Sequence, residues 1–399
     1  MRGVLIGILG LFRRFRLGWR KLIGKTEADL AAEAVVSGKA WEEFCDTLKA
    51  AGGALQFPGA PQDPKIQAEG YRYLSRLARG GLEAFLEYGD TLAPELKRLC
   101  HETVKLGADN PDNYYQNCNL DGAYTYKITG TRGSVTYLGF STKAGQYGQQ
   151  GGITPLSELD ASVMDIADDG TFEILISKEK HSGNWLEIHD GPNMLFVRQT
   201  FADREKEQIA ELKIERLTGP KDPSSELTPE RLVEALRAAG TFAAGAPIMF
   251  ANWSNGFRKH SNKLPRFSDE VSTKAGGDPN IAYYHSHWAR GPDEALVIEV
   301  MPPACDFWNF QLNNYWMESL DYVRHPVHTN SHIATYKSDG SVMVIVSATD
   351  PGIPDATWLS TTGHSEGTMC WRWVGAKEED KIEPPTRIVK LSSLTPATT

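Results

Sequence analysis

Histidine is the side chain type that gathers most densely in this sequence: of ten histidines, six lie between residues 285 and 364, namely His285, His287, His325, His328, His332 and His364. His285 and His287 flank Ser286. On a β-strand two such imidazoles share one face, about 7 Å apart at Cα. That arrangement suits a divalent transition metal, whose ligands must converge. It equally suits a metal-free acid/base pair working near neutral pH. His325, His328 and His332 are spaced three and four apart, so a helix would put them on one face; Pro326 would then sit near its start, and the segment reads equally as a loop. Asp321, Glu299 and His364 are candidate third metal ligands. There is no HExxH and no complete cupin-type histidine run, so the alternative remains that these are hydrogen-bonded core or surface histidines. In the catalytic reading His285 or His287 is the general base and another of the five, His325, His328 or His332 included, is the acid, with Arg198 or Arg372 clamping an anion.

Two further constellations could hold a substrate. Asp109, Asn110, Asp112 and Asn113 surround Pro111 in GADNPDNYYQN. Amides and carboxylates beside proline build turns, and beside Tyr114 and Tyr115 they could also line the mouth of a sandwich. Trp308, Trp316 and Tyr315, with Asn313 and Asn314, combine rings and amides in the way a sugar or ring-system site does, or else form a buried strand and its loop. Ser-His-Asp catalysis finds no GxSxG elbow, and Ser286 is followed by no helix signature. Nucleotide binding finds no GxxxxGK[ST] and no GxGxxG between a strand and a helix. The carboxylate pairs Glu158/Asp160 and Asp168/Asp169 read as solvated turns rather than as a glycosidase pair.

These residues must be positioned by a chain of 399 residues with 41% hydrophobic and 23% charged residues, an ordinary globular composition. Five segments follow from pattern: a basic amphipathic helix at 1–25, a helical region at 26–105, a first β unit at 106–218, a helical insert at 219–275 and a second β unit at 276–399. Trp41, Phe44 and Leu48, then Tyr71, Leu74, Ala78, Leu82 and Phe85, recur at helical spacing on either side of the proline-rich loop at 57–64. From about residue 110 the period becomes two, as in Phe172, Ile174 and Ile176, with Asp-Gly turns between runs. Thr228 and Pro229 open the insert as N-cap and first helical residue; within it AGAPIMFANW (244–253) is too short to span a bilayer and reads as a buried helix or lid. The β pattern returns at 295–301, 341–347, 368–374 and 387–391.

The two β regions match each other at a shift of about 170 residues. DGTFEILIS (169–177) parallels DGSVMVIVS (339–347), Trp185-Leu186 parallels Trp358-Leu359, Arg198 parallels Arg372, and Tyr114-Tyr115 parallels Tyr283-Tyr284. A duplicated antiparallel unit buries its apolar faces in sandwiches, either two of them or one pseudo-symmetric pair.

The net charge is −9, yet residues 1–25 carry Arg2, Arg13, Arg14, Arg16, Arg20, Lys21 and Lys25 and no acid, so the rest of the chain is more acidic still. An acidic body repels phosphates and argues against nucleic acid as a partner. Cys45, Cys100, Cys118, Cys305 and Cys370 contain no CxxC, which reads as reduced thiols in a cytoplasmic protein. The N-terminal segment has neither the cleavage site of a signal peptide nor the length of a membrane span. It reads as a helix that lies on an anionic membrane surface or packs on a partner subunit, with a homo-oligomer one such case.

The segments GADNPDNYYQN (107–117), GNWL (183–186), FVRQTF (196–201), DFWNFQL (306–312) and ATWLSTTGHSEGTMCWRWVGA (356–376) resemble the family catalogued as domain of unknown function 1214, over about residues 60–391. The resemblance implies a β-rich, jelly-roll-like architecture and supplies no catalytic motif. The basic N-terminal helix and the insert lie outside what it explains.

The expectation is therefore a mainly β protein with a helical N-terminal region and helical insert (α+β), built on duplicated antiparallel jelly-roll-like sandwich units. Its expected function is that of a hydrolase or lyase using histidine acid/base chemistry on a small, largely apolar or ring-containing substrate between the units. The substrate contacts would be Asn110, Asp112, Asn113, Tyr115, Arg198, Trp308, Asn313, Trp316, His364 and Arg372. No cofactor is required, though a divalent transition metal at His285 and His287 would make it a metalloenzyme. A non-catalytic carbohydrate- or lipid-binding sandwich is the alternative. For the N-terminal segment the check is liposome partitioning: deleting residues 1–25 should abolish binding to anionic vesicles that salt also weakens, and unchanged partitioning would contradict the membrane reading.

Overall fold

The structure is a computed structural model, and it describes residues 25–146, 153–221 and 226–394. Apart from Lys25, the amphipathic helix expected at 1–25 lies outside the described residues. Among the described residues no helix is long and apolar enough to cross a membrane.

Four long helices form one layer. They are α1 (Glu27–Val36), α2 (Lys39–Ala51), α3 (Pro64–Leu82) and α4 (Pro229–Phe257). Their starts follow from sequence. Thr26 and Asp29 exchange backbone and side-chain bonds in a capping box, while Asp63 and Thr228 cap helices that begin with proline. Phe44, Tyr73, Leu77, Leu236, Ala239, Phe242 and Phe250 share one core. AGAPIMFANW belongs to α4 and buries Ala246, Pro247, Phe250 and Ala251. A short α5 (Asp269–Lys274) follows. The helical pattern expected to reach residue 105 instead stops after the π turn Glu83–Glu87. A Cβ at Gly89 would lie 2.3 Å from the Phe85 carbonyl oxygen, so only glycine fits the exit.

The remainder is mainly β and duplicated. In the first unit one sheet has the order β1 (Asn113–Asp121), β7 (Pro192–Thr200), β3 (Tyr137–Ala144), β4 (Thr154–Asp160). The other runs β6 (Trp185–Glu187), β5 (Thr171–Ser177), β2 (Tyr126–Thr131), β8 (Glu211–Arg216). In the second unit the sheets are β12 (His328–Asn330), β11 (Phe307–Asn313), β15 (Glu366–Val374), β9 (Ile281–Ala289) and β14 (Thr357–Ser360), β13 (Val342–Ser347), β10 (Glu294–Val300), β16 (Thr386–Lys390). Each pair of sheets encloses its own apolar core: Leu138, Leu195, Ile128 and Ile174 in the first, Trp308, Trp371, Ile298 and Val344 in the second. There are thus two sandwiches.

The repeat extends to single hydrogen bonds. The Trp185 indole donates to the Ser177 hydroxyl at 3.0 Å, and Trp358 donates to Ser347 at 3.0 Å. Asp169 accepts from the backbone and hydroxyl of Thr171, and Asp339 from those of Ser341. The edge pairs β5–β6 and β13–β14 are parallel, a departure from the wholly antiparallel expectation. One expected match is a residue out of step: Tyr115 lies opposite Arg198 and Tyr283 opposite Arg372, so Tyr115 corresponds to Tyr283.

The units join by exchanging arginines. Arg372, on β15 of the second unit, donates to the Ala108 carbonyl (2.6 Å) in the loop entering β1 of the first. Arg198, on β7 of the first unit, donates to the Gly276 carbonyl in the loop entering β9 of the second. Each loop is also pinned by its tyrosine, whose hydroxyl accepts from Asn110 N–H (2.9 Å) or Asp278 N–H (3.1 Å). Both guanidiniums are buried, so their acceptors have no water to turn to if the arginine is lost. Arg372→Met should therefore cost about 3 kcal/mol or more, read as a lower urea midpoint; an unchanged midpoint would contradict this role.

Candidate functional site

Around Arg372 the space between the units is filled. Asn309 and Gln311 accept from its guanidinium, at 3.3 and 2.6 Å, and donate in turn to Asn110, Asp112 and the Asp109 carbonyl. Asp109 accepts from the backbone and hydroxyl of Ser319, and Asn330 donates to Asp112.

Around Arg198 it is not filled. Register places Gly139 opposite Arg198 where the second unit has Asn309 opposite Arg372; two residues on, Ser141 stands where the second unit has Gln311. Beside Ser141, where the second unit has a longer amide, lies a cavity of about 190 Å³, lined by Tyr137, Phe140, Ser141, Glu158, Leu159, Asp160, Val163, Arg198, Asp278 and Asn280. A Cβ at Gly139 would lie 2.5 Å from the Tyr137 hydroxyl, so a larger residue there would have to displace that side chain. Val163 and Asn280 are exposed and mark the mouth.

The wall, and the lysine beside Glu158, carry displaced titrations. The Lys143 side chain is 0% exposed, with Nζ 4.0 Å from Glu158 Oε1 and 3.4 Å from the Gly277 carbonyl to which it donates. Burial, followed by the Arg198 charge, pushes the Lys143 ammonium down. Burial, followed by the Asp278 charge, pushes the Glu158 carboxyl up. Both groups are thus driven toward their neutral forms. Tyr137 donates to Asp278 at 2.9 Å and its own pKa is raised by burial and then by that carboxylate. Arg198 stands 3.7 Å from Asp278. Glu158 Oε1 and the Ser141 hydroxyl are buried without a hydrogen-bond partner. Perturbed titrations lining a concavity, with open hydrogen-bonding positions, are the features of a functional site. A larger hollow of about 840 Å³ over Thr129–Thr131 and Asp165–Ala167 is open to solvent, and its acids Asp165 and Glu173 are exposed.

Arg198 alone of the expected site residues lines the cavity. His285 and His287 do share a face of β9, as the strand reading required, but their surroundings differ. His285 sits among Phe257, Tyr283, Trp253 and Phe267, and burial followed by Arg372 lowers its pKa to about 3. His287 bonds Ser261 and Glu366. His364 bonds Glu69 of α3, His328 lies 3.2 Å from Asp112, and His332 lies 3.5 Å from Asp203. His325 is exposed in a turn, and the segment 325–332 is a turn and a short strand rather than a helix, so its spacing forms no common face. These imidazoles occupy separate networks and do not converge on one hollow. Among the described residues no group of three or more His, Cys, Asp and Glu side chains is placed to hold a metal ion.

The amide and aromatic sets are interior. Asn110, Asp112, Asn113 and Tyr115 belong to the filled knot rather than to an open mouth. Trp308 stacks on Trp371 inside the second sandwich, Trp316 donates to the Ile66 carbonyl beneath α3, and Asn313 accepts from Gln311. Glu158 is on a strand facing the cavity, not in a solvated turn. Lys143, Tyr137 and Asp278 were absent from the expected site. Lys143 follows Tyr137, Gly139 and Ser141 at period two, a polar face that sequence alone reads as solvent-facing.

The family model described as protein of unknown function (DUF1214) matches residues 295–378. The crystal structure of an uncharacterised protein from Burkholderia cenocepacia is similar at 48% identity and TM-score 0.87, covering 91% of this chain and 100% of that one. The VPA0106 protein from Vibrio parahaemolyticus aligns over 86% of this chain and 100% of its own at 12% identity and TM-score 0.47. No curated protein matches. The chain belongs to the DUF1214 family.

The Lys143–Glu158 pair gives a signed prediction. A raised glutamate stabilises the fold at low pH and loses that contribution as pH rises; a depressed lysine stabilises at high pH and loses it as pH falls. Lys143→Met removes the buried ammonium but strips Glu158 of its counter-charge. The Tm of the variant relative to wild type should be higher near pH 5 and lower near pH 9; a difference independent of pH would contradict the coupling.

Proposed function

We propose that this protein is an acid/base enzyme, a hydrolase or lyase, acting on a small polar substrate in the cavity between its two β units. The observation that carries this reading is the half-buried Glu158 carboxyl at the cavity wall, whose Oε1 is buried without a hydrogen bond, 4.0 Å from the Lys143 ammonium, and whose pKa is raised beside a depressed lysine. A carboxyl moved toward neutrality can both give and take a proton at working pH. Glu158 is the acid/base group, Lys143 sets its charge state, Ser141 offers a hydrogen bond and Arg198 faces an anionic or carbonyl oxygen. The volume of about 190 Å³ corresponds to roughly six waters, which limits the substrate to a small molecule. This replaces histidine as the acid/base pair while keeping the reaction classes and the location between the units. The free thiols, with Cys45 exposed, fit a reducing, cytoplasmic setting.

The test is turnover of a panel of small esters, lactones and hydroxy acids. Wild type should show a bell-shaped pH profile, and Glu158→Gln should lower kcat/KM by about 100-fold or more with its Tm retained. Full activity in the folded Gln variant would overturn the assignment. Saturable binding without turnover would favour the non-catalytic binding protein instead.

A further inference from the structure

A second constellation lies away from the cavity. Where α4 ends, Ser261 follows the 3-10 turn Arg258–His260. Its hydroxyl is 2.8 Å from His287 Nδ1 on β9, and His287 Nε2 is 2.9 Å from Glu366 Oε2 at the start of β15. Arg258 donates to the same Glu366 oxygen at 3.1 Å. Three separate elements thus bring serine, imidazole and carboxylate into line.

The proton positions follow from the partners. Hydrogen bonds from His287 and from Arg258 hold the Glu366 carboxyl below its usual range, so it is ionised and accepts. A neutral His287 must then carry its proton on Nε2 to serve Glu366, which leaves the Nδ1 lone pair facing Ser261. The serine hydroxyl also lies 3.1 Å from the Arg258 carbonyl, so its proton has one competing acceptor, the longer of the two contacts. Ser261 is half-buried, and the side chains of Arg258 and Glu366 are 33% and 27% exposed, so the line opens to solvent rather than to the core.

We propose that Ser261, His287 and Glu366 form a nucleophilic relay that acylates on Ser261 and hydrolyses esters with good leaving groups. In the first step the Ser261 proton passes to His287 Nδ1 as Oγ bonds to the acyl carbon. The bond from that carbon to the leaving oxygen breaks, and the departing alcohol or phenol takes the proton from Nδ1. Water then adds to the acyl carbon, gives a proton to Nδ1, and the carbon–Oγ bond breaks as Ser261 recovers that proton. Glu366 is a positioning residue, fixing the tautomer.

The leaving-group requirement comes from the backbone. The N–H groups of Ser261, Asn262 and Lys263 are committed to the carbonyls of Arg258, His287 and His260, so none is free to serve an oxyanion. Losing one such donor costs about 100- to 1,000-fold in rate, so activated esters are the substrates within reach.

The test treats the full chain with a fluorophosphonate probe, followed by intact-mass and peptide mapping, and measures p-nitrophenyl acetate hydrolysis. One adduct on Ser261 is expected, absent in Ser261→Ala. His287→Gln should slow labelling by about 100-fold. Glu366→Gln should also slow it and alter its pH profile, with partial rescue by Glu366→Asp, a pattern a merely structural carboxylate would not produce. No adduct on the folded wild type, an adduct elsewhere, or one that survives Ser261→Ala would overturn the proposal.

Discussion

The architecture depends on two buried guanidiniums, each held by a carbonyl of the opposite unit. Each sandwich has a satisfied apolar interior, but the sheets that meet between them present polar faces. Such faces can be buried only if their donors and acceptors pair off. Arg372 and Arg198 accomplish this by reaching across to Ala108 and Gly276. The duplication makes the solution reciprocal: the same strand position, opposite the same tyrosine, grips the same kind of loop in both directions.

Reciprocity does not mean equality. Where the second unit carries Asn309 and Gln311, the first carries Gly139 and Ser141; the Tyr137 side chain takes the space beside Gly139, and the cavity lies beside Ser141. The groups around it differ from those in the filled half: Lys143, Glu158, Asp278 and Tyr137 surround the first arginine, whereas the amides of Asn309 and Gln311 lie against the second, with Asp109 and Asp112 fully hydrogen-bonded behind them. Low water access drives lysine and glutamate toward neutrality together. One copy of the duplicated interface is thus a structural joint, and its twin has the makings of a chemical site.

Much of this was readable from residue order. The helix start at Thr228, the strands, the repeat and the correspondence of Arg198 with Arg372 follow from local pattern and spacing. The shared face of His285 and His287 follows from strand period. What pattern could not supply was which polar faces meet each other. The alternation Tyr137, Gly139, Ser141, Lys143 has the period of a solvent-facing strand, and only the second unit lying against it makes that face interior. The histidines misled for the same reason: His285 is surrounded by α4 and the segment after it, whose docking no local spacing encodes. The Tyr114/Tyr115 match slipped by one because adjacent tyrosines look alike until hydrogen-bonding partners separate them.

The most direct test of the account is to follow the Glu158 carboxyl itself in the unsubstituted protein, by carboxyl carbon resonances assigned through a glutamine replacement. The account predicts a midpoint well above the ordinary glutamate value of 4.5. A midpoint at or below that value would mean an ionised, solvated side chain, and the cavity between the units would hold no displaced acid.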